Sequence, residues 1–180
     1  MADEIEIVDY DANWPRLYEE ERVRLARILP PDLVVAIEHA GSTAIPGLAA
    51  KPIVDIFIAV RSIGVAMDTL VAPIEALGYV FWAENPDKDR MFFVRGMPPY
   101  GERRTHHIHI VEPTSGVWQR SLAFRDYLRA HADEAERYSQ LKRSLALRHR
   151  TDREAYTRAK DAYVAGVVDL ARKKSGAAAG

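Results

Sequence analysis

Residues 41–57 read GSTAIPGLAAKPIVDIF, a small hydroxylated turn that leads into a carboxylate set within an apolar, β-branched run. Gly41 and Ser42 end one apolar stretch, and their small size lets a ligand approach the backbone closely. If a helix starts just beyond them, its free N–H groups and the hydroxyl of Ser42 or Thr43 face an anion such as a phosphate. On the period of two that a strand imposes, Asp55 shares a face with Ile53, Phe57 and Ala59, while Val54, Ile56 and Ile58 face the other way. A carboxylate inside such a strand is costly unless it is paired, hydrogen-bonded or bound to a cation. The bland alternative is that Asp55 caps or pairs with a neighbour at a strand end.

Working outward, the chain alternates element types. IEIVDYD, from Ile5, alternates as a short edge strand does. Asn13 then caps a predicted helix with Pro15 in its first turn, running to Pro30-Pro31. DLVVAIEHAGS reads as a strand ending at Gly41, and KPIVDIFIAV as a second strand bounded by Pro52 and the Arg61-Ser62 turn. VAMDTLVAPIEALG has helical spacing and stops at Gly78. YVFWAEN and DRMFFVRG form a predicted hairpin joined through Asn85-Pro86-Asp87, and RRTHHIHIVE is a further strand. From Val117 onward the spacing predicts one long helix to Arg150 and another over 152–174, with an unstructured tail. The order implies an α+β or α/β fold rather than a bundle.

The strand RRTHHIHIVE carries the second set of candidates. His107 and His109 share one face, and His106, Ile108 and Ile110 the other. Two imidazoles two residues apart, near Asp55, suit zinc or manganese better than magnesium. One of them could equally act as a general base, and a solvated polar strand is the plain alternative. Lys51, Arg103 and Arg104 are possible phosphate partners. Tyr138 with Lys142, and Tyr156 with Lys160, are helical neighbours four apart, so Lys142 and Lys160 either line an anion cleft or cover core with their stems. By period two Glu38 lies on the face of Ser42, a further candidate acid. Trp14, Trp82 and Trp118 read as core or groove packing. If one site exists, Ser42, Asp55 and at least one of His107 and His109 converge on one cleft; histidines on the opposite face would separate them.

Bulk properties narrow the class. The 180 residues hold no cysteine, which excludes disulfides and thiolate metal sites. No stretch approaches the roughly 20 apolar residues needed to span a bilayer, and the acidic start MADEIEIVDYD is unlike a signal peptide. A cytoplasmic protein without a membrane partner is expected. Net charge is −1, split as −7 over residues 1–115 and +6 over 116–180. That asymmetry suits an anionic ligand or merely solvated helix faces. A pI near 6.6 and no RNA-binding signature disfavour nucleic acid.

A Gly-Ser turn followed at this distance by a carboxylate strand resembles the signature of the nucleotidyltransferase fold. More specifically, the segments VDYDANWPRLYEEER, IEHAGSTAIPGLAAKPIVDIFIAV, RTHHIHIVE, FRDYLRAH, YSQLKRSLA and YTRAKDAYV are similar to those of the GrpB family, from about Val8 to about Asp169. The resemblance implies an α+β fold: a nucleotidyltransferase-like mixed sheet with flanking helices. Residues 1–115 would form the core, 116–175 a helical segment packed on it, and 176–180 a disordered tail. It implies phosphate contacts from Gly41, Ser42 and Thr43, with Lys51, Arg104, Lys142 and Lys160 beside them. A divalent cation (magnesium, manganese or zinc) would sit on Asp55 with His107 and His109, which are also the catalytic candidates. The ligand would be a nucleotide or other phosphorylated small molecule, with nucleotidyl transfer as the reaction if there is one. The alternative is an inactive ligand- or partner-binding module, as where a GrpB-like domain is fused to dephospho-CoA kinase. The chain departs from the catalytic pattern at Phe57, where a second carboxylate would stand, and one carboxylate is a poor cage for two magnesium ions.

Overall fold

The computed structural model describes residues 4–177. Its elements are helix α1 (Trp14–Ala26), strand β1 (Val34–Ala40), a single 3-10 turn (Ser42–Ala44), β2 (Val54–Val60), α2 (Ile63–Glu75), β3 (Tyr79–Phe81), β4 (Met91–Arg95) and β5 (His106–Val111). Three helices complete the chain: α3 (Gly116–Ala130), α4 (Ala132–Arg148) and α5 (Arg153–Ala177). The strands form one mixed sheet in the order β1-β2-β5-β4-β3, flanked by helices, as the α+β reading expects. Neighbours are antiparallel except β2 and β5, which run parallel. Joining parallel strands needs a long crossover; here α2, β3 and β4 supply it, and the histidine strand returns beside the carboxylate strand.

The two faces of the sheet differ in chemistry, as the period of two dictates. Val54, Ile56, Ile58 and Val60 of β2, with Ile108 and Ile110 of β5, pack against Trp14 and Leu25 of α1 and Leu70 and Ile74 of α2 in the main core. The opposite face carries Asp55, Phe57, His107 and His109. A second core, built from Ile45, Leu48, Phe124, Leu128, Tyr138 and Val167, binds the C-terminal helices to the loop between β1 and β2. Trp14 is core, as expected, and Trp118 packs near Phe57 and Val111. Trp82, expected in packing, is 47 % exposed at the sheet edge, in a T-shaped contact with Phe92.

Four further expectations need correction. The predicted edge strand near the N-terminus is reduced to one bridge, Val8 to Ala50. Its Ile5 N–H instead donates to Arg150 O at 2.9 Å, and its side chain is buried with Leu145, Ala146 and Tyr156, so the segment is held by the C-terminal helices. Helix α1 ends at Ala26, closed by Arg27 N–H donating to Arg24 O rather than running on to the prolines. The single long helix after Val117 is broken at His131 (φ −134°, ψ 86°), whose Nδ1 bonds the Tyr127 carbonyl at 2.7 Å. Asp133 and Glu134 then open α4, where carboxylates complement the exposed N–H groups. Finally, α5 continues to Ala177, into the tail expected to be unstructured from 176; residues 178–180 lie outside the described residues. Among the described residues no helix is long and apolar enough to cross a membrane.

Candidate functional site

Pairing of β2 with β5 sets Asp55 opposite His107 and Phe57 opposite His109. All four side chains emerge on the face away from the main core. His107 Nδ1 lies 3.0 Å from Asp55 Oδ1, and His109 Nε2 lies 3.5 Å from the same oxygen. On the other side of Asp55, the antiparallel partner is Ala40, and the chain turns at Gly41. Gly41 has φ +66°, and a Cβ built there would stand 2.2 Å from Asp55 Oδ2. Only glycine meets both demands, the left-handed backbone and the near contact with the carboxylate.

Burial raises the pKa of the Asp55 carboxyl, but the hydrogen bonds and charge of His107 and His109 outweigh that and hold it well below the usual carboxylate range. His109 is lowered to about 4, because burial disfavours the imidazolium more than Asp55 favours it. A deprotonated carboxylate beside a neutral imidazole is the protonation state that metal ligands require. The ligating atoms of Asp55, His107 and His109 all lie within 4.8 Å of one another. Two imidazoles and one carboxylate with open positions fit a borderline transition cation better than magnesium. The far ring atoms, His107 Nε2 and His109 Nδ1, are buried and have no hydrogen-bond partner among the described residues. Metal-bound histidines ordinarily anchor that nitrogen on an acceptor, so the donor set fits the ion while its outer shell is absent, which predicts modest affinity.

Beside this group stands a set of lysines. Lys142, from α4, is 2 % exposed. Its Nζ donates to Ser42 Oγ at 3.0 Å and to the Ala49 carbonyl, and it sits 4.7 Å from the Tyr138 ring centroid. Burial, reinforced by the charges of Lys160, Lys51 and Arg143, lowers its pKa to about 6. Lys51 is lowered to about 8 by burial and by Lys160, Arg153 and Arg104, partly offset by Asp55. Lys160 is lowered by burial against the pull of Asp55 and Asp161. Lys160 and Lys51 both approach the Tyr156 ring, at 4.4 and 5.3 Å from its centroid. Both helical Tyr-Lys pairs thus share a face, as their spacing requires. Burial lowers the pKa of all three amines despite the carboxylates of Asp55 and Asp161, so holding them charged together is electrostatically costly.

Several sequence candidates fall elsewhere. Thr43 is 1 % exposed, and its hydroxyl is turned inward, 3.0 Å from His39 Nε2. The element after Gly41 is a single three-residue 3-10 turn, so the condition for a helix N-terminus facing an anion there is not met. Glu38 lies on the predicted face, but it accepts a hydrogen bond from Arg125 Nη1 at 2.7 Å. Arg103 and Arg104, by contrast, stay close to the lysine set: they line a groove of about 1360 Å³ together with Lys51 and Arg153, and the charge of Arg104 acts on Lys51. Arg125 also donates to the His39 carbonyl at 2.8 Å, so it ties α3 to β1 beside the site. It pairs with the adjacent Asp126 as well, but sequence spacing gave no sign of its β1 partners, which lie more than eighty positions away.

Residues 4–169 match the GrpB protein family, so the chain belongs to the GrpB family. It is 50 % identical to a UPF0157 protein of Pseudomonas aeruginosa over 94 % of this chain and 68 % of that protein. To the UPF0157 protein YqkA of Bacillus subtilis it is 38 % identical over 94 % of this chain, but it spans only 48 % of YqkA. A protein named dephospho-CoA kinase from Mycolicibacterium paratuberculosis is 30 % identical over 87 % of this chain and 43 % of its own length. Among solved structures, the crystal structure of GrpB from Enterococcus faecalis superposes with a TM-score of 0.83 at 34 % identity, covering 94 % of this chain and 99 % of that one.

Two predictions follow from the geometry. Gly41→Ala lowers the urea midpoint, and a double-mutant cycle with Asp55→Ala shows coupling of about 1 kcal/mol or more, because the collision partner is the carboxylate itself. Lys142→Met raises the melting temperature at pH 7. The unfolded amine titrates near 10.5 and the folded one near 6, so between those values the unfolded chain binds more protons and wild-type stability rises with pH. Each pH unit in that window is worth up to about 1.4 kcal/mol, so the advantage of Lys142→Met shrinks as pH approaches 10; thermal melts across pH read it directly.

Proposed function

We propose that this chain binds a phosphorylated small molecule of nucleotide type, with its phosphates on Ser42, Lys51, Lys142 and Lys160, beside a divalent transition cation on Asp55, His107 and His109. The observation that carries the reading is the trio of crowded, largely buried lysines adjoining an ionised Asp55 flanked by two histidines. An anion offsets the repulsion between Lys51 and Lys160 and can accept an N–H from Lys142, and a cation satisfies the ligand atoms that converge on Asp55. A bound cation would supply charge neutralisation to a phosphate and polarise its oxygens. The chain's own groups do the rest: Ser42 and the amines orient the phosphate, and Gly41 leaves room at the carboxylate. Arg103 and Arg104, which share a groove with Lys51, extend the positive surface from that lysine.

Whether nucleotidyl transfer follows binding turns on Phe57. Its ring stacks on His109 with centroids 4.4 Å apart, at the position where a second carboxylate would hold a second ion. That contact favours binding without transfer as the second reading, in which the same cleft serves a partner enzyme. The relative named dephospho-CoA kinase makes coenzyme A precursors the first phosphorylated compounds to compare with nucleotides.

Calorimetric titration with diphosphate, ATP and dephospho-coenzyme A, each with and without manganese or zinc, tests the reading. Wild type binds at least one of them, more tightly with the cation. Asp55→Ala loses the cation enhancement, and Lys160→Met weakens anion binding about tenfold or more. Absence of binding to every compound, with and without cation, overturns it.

A further inference from the structure

We propose that Ser42 is a nucleophile activated by Lys142, and that it captures a phosphorus electrophile at this site as a covalent serine ester. The inference rests on the phosphate reading above and adds a chemical step to it.

The geometry is that of a nucleophile and base oriented by a third group. Lys142 Nζ lies 3.0 Å from Ser42 Oγ, and its other contact is the Ala49 carbonyl. That carbonyl is fixed in turn, because the Ala49 N–H donates to Ser139 Oγ at 3.2 Å, one turn before Lys142 on α4. The carbonyl that orients the amine is thus held to α4 by a second contact independent of Lys142. Among the described residues no ion pair includes Lys142, and its charged neighbours Lys51, Lys160 and Arg143 are all cationic. Burial and like charge both favour the neutral amine, which titrates near 6. A neutral amine carries the lone pair that an ammonium lacks. One of its N–H groups then serves the Ala49 carbonyl while the Ser42 hydroxyl donates to the lone pair.

Ser42 is also suitably placed for attack. It follows Gly41, whose positive φ turns the chain sharply at the end of β1, and it remains partly exposed beside the Asp55 group. In the step, Ser42 Oγ forms a bond to phosphorus, and the bond from phosphorus to the leaving group breaks, its electron pair departing with that group. With a nucleoside triphosphate attacked at its first phosphorus, the products are a nucleotidyl-serine ester and diphosphate. The serine proton ends on Lys142, and the ammonium so formed faces an anionic adduct. No oxidant or reductant enters.

The chain has no cysteine, so Ser42→Cys introduces a single thiol whose reactivity reports on its surroundings. Thiols beside a proton acceptor ionise at lower pH. At pH 7, iodoacetamide alkylates Ser42→Cys at least about tenfold faster than the Ser42→Cys, Lys142→Met double variant. Circular dichroism verifies that both are folded. Independently, a fluorophosphonate probe labels wild type at Ser42, mapped by peptide mass, and labels neither Ser42→Ala nor Lys142→Met. Equal alkylation rates with and without Lys142, or no fluorophosphonate adduct at Ser42, overturn the proposal. Diphosphate titration of the same wild-type preparation separates the two readings. Binding without labelling leaves the phosphate site and removes the nucleophile; labelling without binding keeps the activated serine and removes the phosphate site.

Discussion

The contact of the Asp55 carboxylate with two imidazoles across the parallel β2–β5 pair is the interaction on which the rest of this site depends. A carboxylate placed on a strand with apolar neighbours on both sides must find compensation. Here it comes from His107 and His109, brought alongside by a crossover that spans α2 and the β3–β4 hairpin. The same carboxylate fixes the far side of the site, since its Oδ2 leaves no space for a side chain at position 41. The turn that carries Ser42 is therefore glycine-led for a steric reason as well as a conformational one. One residue thus couples the end of β1, the middle of the sheet and the histidine strand.

Charge is distributed across the site in a way that a self-sufficient core would avoid. Glu21, on the opposite face, shows the usual solution: it is buried, but it accepts hydrogen bonds from Tyr79, Arg24 and Arg95. Lys142 is buried as deeply, yet among the described residues its close partners are a hydroxyl, a carbonyl and an aromatic ring, with no carboxylate paired to it. A buried amine without a counter-charge costs stability, and groups perturbed in this way cluster at functional sites. The unpartnered ring nitrogens of His107 and His109 belong to the same pattern. The helical C-terminal segment matters here because α4 and α5 bring Lys142 and Lys160 to a loop that lies some hundred residues earlier in the chain.

Much of this was legible in the sequence, and the limits have physical causes. Period-two alternation assigned Asp55 and Phe57 to one face and Val54, Ile56 and Ile58 to the other, and it did the same for His107, His109 and Ile108. Those assignments are local, and the pleat enforces them. That the two strands are adjacent and parallel is a long-range fact, and no pattern within either strand encodes it. The break at His131 carries neither glycine nor proline; its only mark is the acidic pair Asp133-Glu134, which also suits a helix interior. The inward turn of Thr43 follows from His39 lying behind it, and the engagement of Glu38 by Arg125 follows from how α3 docks on β1. Family resemblance pointed to Lys142 and Lys160, but spacing alone left open whether they line a cleft or cover core. The structure shows that Lys142 is buried and that its amine reaches Ser42.

The central claim is that a cation and a phosphate share the space between Asp55, the two histidines and the lysines. Crystals grown with manganese and diphosphate, with diffraction recorded at the manganese absorption edge, test it most directly. The account predicts an anomalous peak within coordinating distance of Asp55, His107 and His109, with phosphate density between that peak and Lys142. A manganese peak elsewhere on the molecule, or diphosphate bound away from Ser42 and the lysines, would contradict it.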